Sequence, residues 1–462
     1  MFFGIMAYMH IRKLFSVLMM AALVFVGAGC GGGSQSVTLS PITLSYWRYD
    51  TPDKALDGVI EKYREQHPNI SILVKTFSEK ELEQELLEAF AEDKGPDMFS
   101  VPNVWLRKWE TQLAPMPGET AVATPVLTDG KRSVVLKKTQ SPTLRDISNL
   151  YVDAAVKDML FTIPATEDTP EATAVMGVPF SLDTLGLFSN MDLLTSAGIK
   201  EPPKTWQEFE LAVTKLTARR GDVVALAGAA MGTSRNVPHA TEILGTLMQQ
   251  NGTTMTDARG FAQFQERERS TGGFPAIDAL LFYQNFANPA AGTYTWNANM
   301  PNGFDAFVTG SAAMYFGYPT DAVVARERNG KLRFVITGMP QVNLGRSLST
   351  ALYPIEVVSK KSVHQQEAWD FLLFAASGEQ VSSYLSSASR PPALRALIPA
   401  AAGNPEVAGF ANQVLTATSW YRGNDYSEVE AAFEEMMESD VEARDLGDLM
   451  EAAVRRINVT IQ

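Results

Sequence analysis

The most constraining feature of this chain is an export signal that ends at its only cysteine. Arg12 and Lys13 supply a positive start, residues 14–26 form an apolar run, and small residues at 27–29 lead to Cys30. An apolar run of this length is too short for a stable membrane span, so the pattern predicts secretion. Because one cysteine cannot form an internal disulfide, a large apolar core must hold the exported fold together.

The residues around Cys30 resemble the signal of a bacterial lipoprotein, since the cysteine follows small residues and precedes a flexible glycine tract. The resemblance implies a signal peptide over 1–30, cleavage before Cys30, lipidation of its thiol and a flexible linker over 31–41. Gly27 departs from the usual pattern, which carries leucine or a similar residue three positions before the cysteine. The alternative is an ordinary secretory signal with an incidental buried cysteine.

Size and charge exclude several classes of protein. The chain beyond Cys30 is long enough for two or three ordinary domains, or for one protein with two lobes. A net charge of −13 argues against a broad basic face for nucleic acid or anionic lipid. The four histidines lie far apart, and no phosphate-binding loop, dinucleotide fingerprint or serine-hydrolase elbow is present. We therefore expect no cofactor and no metal site.

Strand and helix patterns alternate after residue 41, which is typical of an α/β sheet with parallel strands. The predicted strands lie at 42–47, 70–77 and 97–101. Thr51 and Pro52 predict the start of the first helix, and Ser78 with Glu81 predicts a capping box. Further helices are predicted at 103–112, 205–216, 363–387 and 427–458. Residues 113–175 break the pattern, and we expect a long, partly irregular excursion there.

Several segments, in order along the chain, resemble the bacterial extracellular solute-binding proteins of sugar-type ABC importers, a family of maltose-binding-protein-like receptors. The segments that carry the resemblance are 47–50, 95–99, 178–194, 197–209, 306–314, 358–362 and 368–372. The most specific is 178–194, where Met191 replaces the usual lysine. Each motif is weak by itself, but their order and spacing span nearly the whole exported chain.

The resemblance implies an α/β fold of the two-lobed periplasmic-binding-protein type (type II, or Venus-flytrap), in which crossing strands join discontinuous lobes. It places residues 42–182 and 340–387 in lobe 1, and residues 183–339 and 388–462 in lobe 2. The chain is expected to cross between the lobes near 181–187, 332–340 and 386–392. The ligand is expected in the cleft between the lobes.

Two groups of candidate ligand-binding residues follow predicted strands. A sugar presents flat C–H patches and a rim of hydroxyls, which aromatic rings, carboxylates and amides can bind. Ligands collect beyond the carboxyl ends of parallel strands. Trp47, Tyr49 and Asp50 follow the first strand, and Asn103 and Trp105 follow the third. The alternatives are core packing for the aromatic residues and helix capping for Asp50, whereas Trp109, Trp206 and Trp369 are expected to pack in the core.

Further candidates come from the later part of the resemblance. Asp183 lies on the first crossing, where the family commonly places a ligand-binding carboxylate. Arg390 lies on the last crossing and either binds ligand hydroxyls or closes a salt bridge between lobes. Trp420 and Tyr426 occupy a region of late cleft aromatics. Asn299 lies in a polar and aromatic loop that is alternatively a simple turn.

Two departures from the family put a conventional sugar in doubt. Thr320 occupies the position of the usual stacking tryptophan, and Tyr318 is expected to supply the ring instead. Tyr353 and Glu356 stand where the family usually carries a glycine-rich turn, so they fill space that a larger ligand would need.

The sequence as a whole predicts a receptor without catalysis. It is expected to be a monomer, anchored to the cell membrane through lipidated Cys30 only, that delivers a small solute, a carbohydrate, to the permease subunits of an ABC importer. One alternative is an exported carbohydrate-active enzyme, for which Asp183 and Glu356 are the carboxylate pair to nominate. Another is a binding module that feeds a membrane sensor, and a third is a degenerate receptor with a structural role.

Overall fold

The computed structural model describes residues 39–49, 52, 54–128, 131–165, 170–221, 223–268, 272–440 and 445–461, and Leu39–Gln462 forms one compact unit. The predicted signal, the lipidation of Cys30, most of the linker and the predicted ligand contact of Asp50 lie outside the described residues. They stay predictions.

The strands are β1 (Ile42–Tyr49), β2 (Ile70–Phe77), β3 (Met98–Pro102), β4 (Glu119–Thr128), β5 (Lys131–Gln140), β6 (Leu160–Ile163), β7 (Ala172–Val175), β8 (Gly186–Asn190), β9 (Ala218–Arg220), β10 (Val223–Leu226), β11 (Met314–Gly317), β12 (Phe334–Gly338), β13 (Ser349–Thr350), β14 (Pro354–Val358) and β15 (Ala417–Thr418).

The α-helices are α1 (Asp57–Gln66), α2 (Glu79–Ala91), α3 (Leu144–Leu150), α4 (Asp153–Met159), α5 (Met191–Ser196), α6 (Trp206–Leu216), α7 (Ala240–Gln250), α8 (Pro275–Gln284), α9 (Gly303–Thr309), α10 (Pro319–Arg328), α11 (Gln365–Ala375), α12 (Gly378–Ala388), α13 (Ile398–Ala402), α14 (Ala408–Ala411), α15 (Tyr426–Glu438) and α16 (Leu446–Val459). Short 3₁₀ turns lie at Asn103–Trp105, Glu110–Gln112, Leu344–Arg346, Arg395–Leu397 and Val414–Thr416.

A first sheet has the strand order β14, β3, β1, β2. β1 runs parallel to β2 and β3, whereas β14 is antiparallel to β3. Helices α1 and α2 make the crossovers and bury apolar faces, and the predicted capping box between Ser78 and Glu81 is present at the start of α2. The predicted parallel α/β sheet is therefore confirmed.

A second sheet has the order β11, β8, β12, with both outer strands antiparallel to β8. The predicted capping box between Thr205 and Glu208 opens α6, whose Phe209, Val213 and Leu216 are buried. Trp109, Trp206 and Trp369 are also buried, in agreement with the prediction that they pack in the core. All three belong to the apolar core of the protein, where large aromatic side chains are usually found.

The excursion over 113–175 is more regular than predicted. Strands β4 and β5 form an antiparallel ribbon, followed by α3, α4 and the antiparallel pair β6–β7. The ribbon is attached to α11 by the Thr120 hydroxyl, which donates to Asp370 Oδ1 at 2.7 Å, and by the Ala121 N–H, which donates to Gln366 Oε1 at 3.0 Å.

Two predicted helices differ from the structure. The first helix begins at Asp57 rather than near Pro52, and Thr51 lies outside the described residues. The helix predicted over 103–112 is wrong, since this segment forms two 3₁₀ turns. The Asn103 N–H donates to the Tyr353 carbonyl oxygen at 2.9 Å, so a long-range bond replaces the local helical pattern.

Three extended segments lie side by side where the two sheets connect. The Leu182 N–H donates to the Pro391 oxygen at 3.0 Å, and the Leu352 N–H donates to the Asp183 oxygen at 3.1 Å. Strand β12 belongs to the second sheet and fills most of the range predicted for the return crossing. The chain passes to the first sheet only beyond it, through β13. We call the segments 181–185, 349–353 and 390–392 the crossing segments.

Candidate functional site

Asp158, a buried carboxylate near the end of α4, accepts hydrogen bonds from residues that are far apart along the chain. Asp158 is 6% exposed, and its Oδ2 accepts hydrogen bonds from the Asn103 amide at 3.0 Å and the Tyr353 hydroxyl at 2.8 Å. Its Oδ1 accepts from the Ser419 hydroxyl at 2.8 Å and the Arg422 guanidinium at 2.9 Å. Four donors satisfy this carboxylate, and one of them is charged, so the cluster holds the loop after β15 in place.

Asp183 and Arg390 form a buried ion pair between two crossing segments. The guanidinium Nη1 lies 2.7 Å from Asp183 Oδ2, and the residues are 4% and 2% exposed. Arg390 follows Ser389, which ends α12 in the left-handed conformation with φ of 52°. The predicted lobe bounds place both residues in lobe 2, so this pair is not the predicted salt bridge between lobes. A buried pair of this kind is costly to break, because either charge alone would be left in the interior.

Glu356 forms a second buried ion pair, within the first sheet. It accepts hydrogen bonds from the Tyr46 hydroxyl and from Arg48 Nη2, the latter at 2.7 Å. The guanidinium also lies over the ring of Tyr384, with 5.1 Å to its centroid. Asp183 and Glu356, the carboxylates nominated for an enzyme, are therefore each held by a separate arginine.

A cluster of tyrosines and carboxylates lies beside the crossing segments. The Tyr426 hydroxyl donates to Glu242 Oε1 at 2.8 Å, and Glu242 on α7 is 7% exposed. Tyr318, which is 6% exposed, places its ring 4.9 Å from the His239 imidazole in an edge-on arrangement. Burial and the carboxylates of Glu242 and Asp183 raise the pKa of Tyr318 well above its usual value, so this phenol stays protonated.

Helix α2 contributes further negative charge to this cluster. The Glu79 carboxylate on α2 also raises the pKa of Tyr318, so it lies within electrostatic range of that ring. Although Glu430 is an exposed residue overall, crowding of protein around its carboxyl group and the carboxylates of Glu242 and Glu83 raise its pKa to about 7. Carboxylates of α2, α7 and α15 therefore lie within electrostatic range of the rings of Tyr318 and Tyr426 or of one another. We call Tyr318, Tyr426, Glu242 and Glu430 the tyrosine–carboxylate cluster.

The structure brings some of the predicted site residues together and leaves others apart. Asn103 and Tyr353 meet at Asp158, and Asp183 meets Arg390, as described above. Tyr318 lies within electrostatic range of Tyr426, whose pKa it helps to raise. Trp47 packs on Phe77, with ring centroids 5.2 Å apart. Tyr49 and Trp105 are buried, Trp420 stacks on Phe433 at 6.1 Å, and Asn299 is exposed in a turn closed by the Asn297 side chain.

Sequence reasoning missed Asp158, Ser419, Arg422 and Glu242. Two of them carried a usable signal, because they interrupt apolar helix faces. Asp158 is buried on α4 beside Ala154, Ala155 and Met159, and Glu242 precedes two buried apolar residues of α7. A charged residue on a buried helix face needs a partner, which marks it as structural or functional. The loop residues Ser419 and Arg422 showed no comparable pattern.

Two surface cavities lie away from this region. One of about 460 Å³ lies between α1, α11 and the β4–β5 ribbon, and another of about 270 Å³ lies beside α6. His67 borders the larger cavity; burial lowers its pKa. Within the described ranges, no group of three or more histidine, cysteine, aspartate or glutamate residues could hold a metal ion. The same part of the chain has no helix long and apolar enough to span a bilayer.

The comparisons with known proteins assign the chain to a family. The profile of the family described as "Bacterial extracellular solute-binding protein" matches residues 49–381, well over half of the chain. The chain belongs to this family. A search of curated proteins returns no match. This solute-binding protein therefore belongs to an extracellular family whose members bind solutes, and the predicted family is confirmed.

Solved structures show that the fold is shared. The sugar-binding protein MalE of Xanthomonas citri aligns with a TM-score of 0.64 at 19% identity, covering 91% of this chain and 97% of that one. A solute-binding protein of an ABC transporter from Thermotoga lettingae, bound to α-D-tagatose, aligns at 0.65 and 16%, covering 91% and 100%. A substrate-binding protein of Listeria monocytogenes in complex with cycloalternan aligns at 0.67 and 16%, covering 91% and 99%. The fold is the two-lobed α/β fold of periplasmic sugar-binding proteins, as predicted.

Proposed function

We propose that this solute-binding protein captures a sugar or a related carbohydrate between its lobes and delivers it to an ABC importer. The observation that carries the proposal is the tyrosine–carboxylate cluster. It joins α7 and α15 beside the crossing segments, and the carboxylates of Glu79 and Glu83 on α2 act electrostatically on it. The related structures from Xanthomonas citri and Thermotoga lettingae, described as sugar-binding or bound to a sugar, support a carbohydrate.

The proposed mechanism is closure of two lobes over the ligand. We propose that lobe 1 comprises 42–182 and 340–387, and lobe 2 comprises 183–339 and 388–462. Ligand drives closure only by binding the closed state more tightly than the open one. Asp158 bonds to residues of both proposed lobes, and its bonds to Ser419 and Arg422 attach the loop after β15 to the first lobe.

Tyr318 is proposed as the main stacking ring. It precedes α10, whose second residue, Thr320, stands at the position of the usual tryptophan. The remaining proposed contacts come from residues at the edges of the cleft: Trp47, Tyr49, Asp50, Asn103, Trp105, Asp183, Asn299, Tyr353, Arg390, Trp420 and Tyr426. Asn103, Asp183, Tyr353 and Arg390 already have protein partners, so their proposed role is to shape the cleft beside the ligand.

The remaining parts of the proposal concern location and partners. We propose that lipidated Cys30 anchors a monomer outside the cell membrane, next to the permease subunits of its importer. Confinement to that membrane raises the effective concentration of receptor at the transporter without any new contact. We also propose that the protein is not an enzyme, because each nominated carboxylate is engaged with its own arginine.

A ligand screen by thermal unfolding tests this function. The full chain, expressed with its own signal and extracted in mild detergent, is heated with monosaccharides, oligosaccharides and polyols. A true ligand at a hundred times its Kd adds about 2.7 kcal/mol to the unfolding free energy and is recovered chemically unchanged. Tyr318→Leu should lose this response, whereas Tyr63→Leu, buried under the first sheet, should keep it. Conversion of the ligand to a product would favour the enzyme instead.

A further inference from the structure

One buried carboxylate beside the crossing segments lacks a cation. Glu242 is 7% exposed, and its carboxylate accepts a hydrogen bond from the neutral hydroxyl of Tyr426. Within the described residues, no lysine, arginine or histidine forms an ion pair with it. Its place in the first turn of α7 supplies only the partial positive charge of a helix start. A carboxylate removed from water normally requires more compensation than this.

A second carboxylate adds negative charge to the same space. Glu430 follows Tyr426 by one turn of α15, and burial of its carboxyl group together with the carboxylates of Glu242 and Glu83 raises its pKa to about 7. Neighbouring like charges favour the binding of a proton or a cation.

Three basic side chains that contact residues around the cluster already have acidic partners. Lys108 pairs with Glu83, His239 Nε2 lies 3.0 Å from Asp321 Oδ2, and Arg390 pairs with Asp183. The protein therefore supplies a basic partner to Glu83, Asp321 and Asp183. Among the residues that the structure describes, it supplies none to Glu242.

An independent observation points to a ligand at this place. The Tyr318 hydroxyl is buried and has no hydrogen-bond partner within the described residues. The carboxylates of Glu242 and Asp183 both raise the pKa of this phenol, so the unpaired hydroxyl belongs to a residue within electrostatic range of Glu242. Buried polar atoms are almost always paired, and an unpaired one marks a place where another molecule completes the bonding.

We propose that the tyrosine–carboxylate cluster binds the ammonium group of a cationic solute. An ammonium group offers three hydrogen-bond donors and no acceptor, which suits two carboxylates and the oxygen of Tyr318. The rings of Tyr318 and Tyr426 add aromatic faces that attract a cation. A neutral sugar in the same place would leave Glu242 without a countercharge.

This inference rests on the proposed function, since it assumes that the cleft is the ligand site. The shared chemistry is an alkylammonium group, which an amino sugar or a polyamine can supply. The two sources differ in the rest of the molecule, because an amino sugar also presents ring C–H faces and hydroxyls.

The test compares amines with their matched neutral sugars. Calorimetric titration of the full chain in mild detergent uses glucosamine, N-acetylglucosamine, glucose, oligomers of each, putrescine and spermidine. We expect at least one amine to bind at least tenfold more tightly than its neutral counterpart. Glu242→Gln should abolish this preference while leaving the unfolding transition cooperative, because glutamine still accepts the Tyr426 hydrogen bond. Glu430→Gln should weaken amine binding as a second variant.

A charge-matched control separates the local site from the net charge of the protein. Glu435→Gln lies on the same helix, and its carboxylate pairs with Arg456 at 2.7 Å. This control should retain the full preference for the amine. An equal loss in Glu435→Gln and Glu242→Gln would overturn the proposal, because long-range attraction would then explain the binding.

The outcomes distinguish this inference from the proposed function. Equal binding of an amino sugar and its N-acetyl form overturns the ammonium site and leaves the carbohydrate receptor standing. Binding of polyamines alone supports the ammonium site and overturns the carbohydrate. A panel in which neither an amine nor a neutral sugar binds overturns both.

Discussion

Two polar clusters beside the crossing segments differ in how far the protein satisfies them. Asp158 receives four hydrogen bonds, one of them from an arginine. Glu242 is equally buried, but among the described residues its carboxylate receives a side-chain hydrogen bond only from a neutral tyrosine, and the nearby Tyr318 hydroxyl has no partner there. The first cluster is complete without a ligand, whereas the second is completed by one. We therefore expect substitutions in the first to change stability and substitutions in the second to change binding.

The largest expected effect is the loss of the Asp158 carboxylate. Asp158→Ala leaves Arg422 and the Tyr353 hydroxyl without their shared acceptor, so the unfolding free energy should fall by about 3 kcal/mol. Urea denaturation measures this value. Asp153→Ala, on the exposed start of the same helix, removes a surface ion pair with Arg395 and should cost about 0.5 kcal/mol or less. Similar losses in the two variants would contradict a structural role for Asp158.

A pair of hydroxyl deletions sharpens the comparison. Tyr353→Phe removes a buried donor 2.8 Å from Asp158 and should cost about 1.5 kcal/mol of unfolding free energy. Tyr318→Phe removes a hydroxyl that has no partner among the described residues, and should change the free energy of unfolding by less than about 0.5 kcal/mol. Denaturation of both proteins without ligand gives the two values. A loss at Tyr318 as large as that at Tyr353 would show that its hydroxyl is bonded in the folded protein.

Removal of the negative charge of Glu242 should raise the unfolding free energy, whereas the substitutions at Asp158 lower it. Glu242→Gln replaces a buried carboxylate without a cation by a neutral side chain of the same shape. We expect the ligand-free protein to gain about 1 kcal/mol of unfolding free energy near pH 8. The matched change Asp158→Asn should lower it, because Arg422 loses its countercharge. Thermal and urea unfolding of the two variants would contradict the comparison if both were destabilised alike.

The smallest expected effect is a pH dependence at Glu430. Its pKa rises from an unperturbed value of 4.5 to about 7, so the folded state holds more protons than the unfolded state between these pH values. The stabilisation is complete below about pH 4.5 and is lost as the pH rises through about 7. Because solvent screens this exposed residue, we expect about 0.5 kcal/mol or less.

Comparison with Glu430→Gln isolates this residue from the other groups that titrate in the same range. The charged groups that face it are Glu242, Glu83 and Asp425, and Lys108 pairs with Glu83. The unfolding free energy is measured at pH 5 and pH 8, and the variant should show a smaller decrease between them. An unchanged decrease would place the pKa of Glu430 near its ordinary value.

Local patterns in the sequence predicted the framework of the fold well. Alternation of apolar residues located β2 at its observed bounds, and side-chain hydroxyls three residues before an acidic residue located the starts of α2 and α6. These features depend on residues a few positions apart, so they can be read along the chain. The family, and with it the two-lobed architecture, followed from the order of the motifs.

The wrong prediction of a helix over 103–112 shows that local sequence patterns do not reveal long-range hydrogen bonds. Asn103 bonds to Tyr353 and Asp158, which lie far away along the chain, and these bonds replace the helical ones. The apolar residues around Asp183 indicated that its carboxylate needs a partner, but not which residue supplies it.

The sequence by itself determined the class of the fold, the first three strands, several of the helices, the family and many of the residues at the crossing segments. The tertiary structure alone decided which carboxylates receive a cation from the protein: Asp183 from Arg390, Asp158 from Arg422, and Glu242 from no described residue. Composition and spacing cannot show this pairing, because the energy of a buried charge depends on groups brought together from distant parts of the chain.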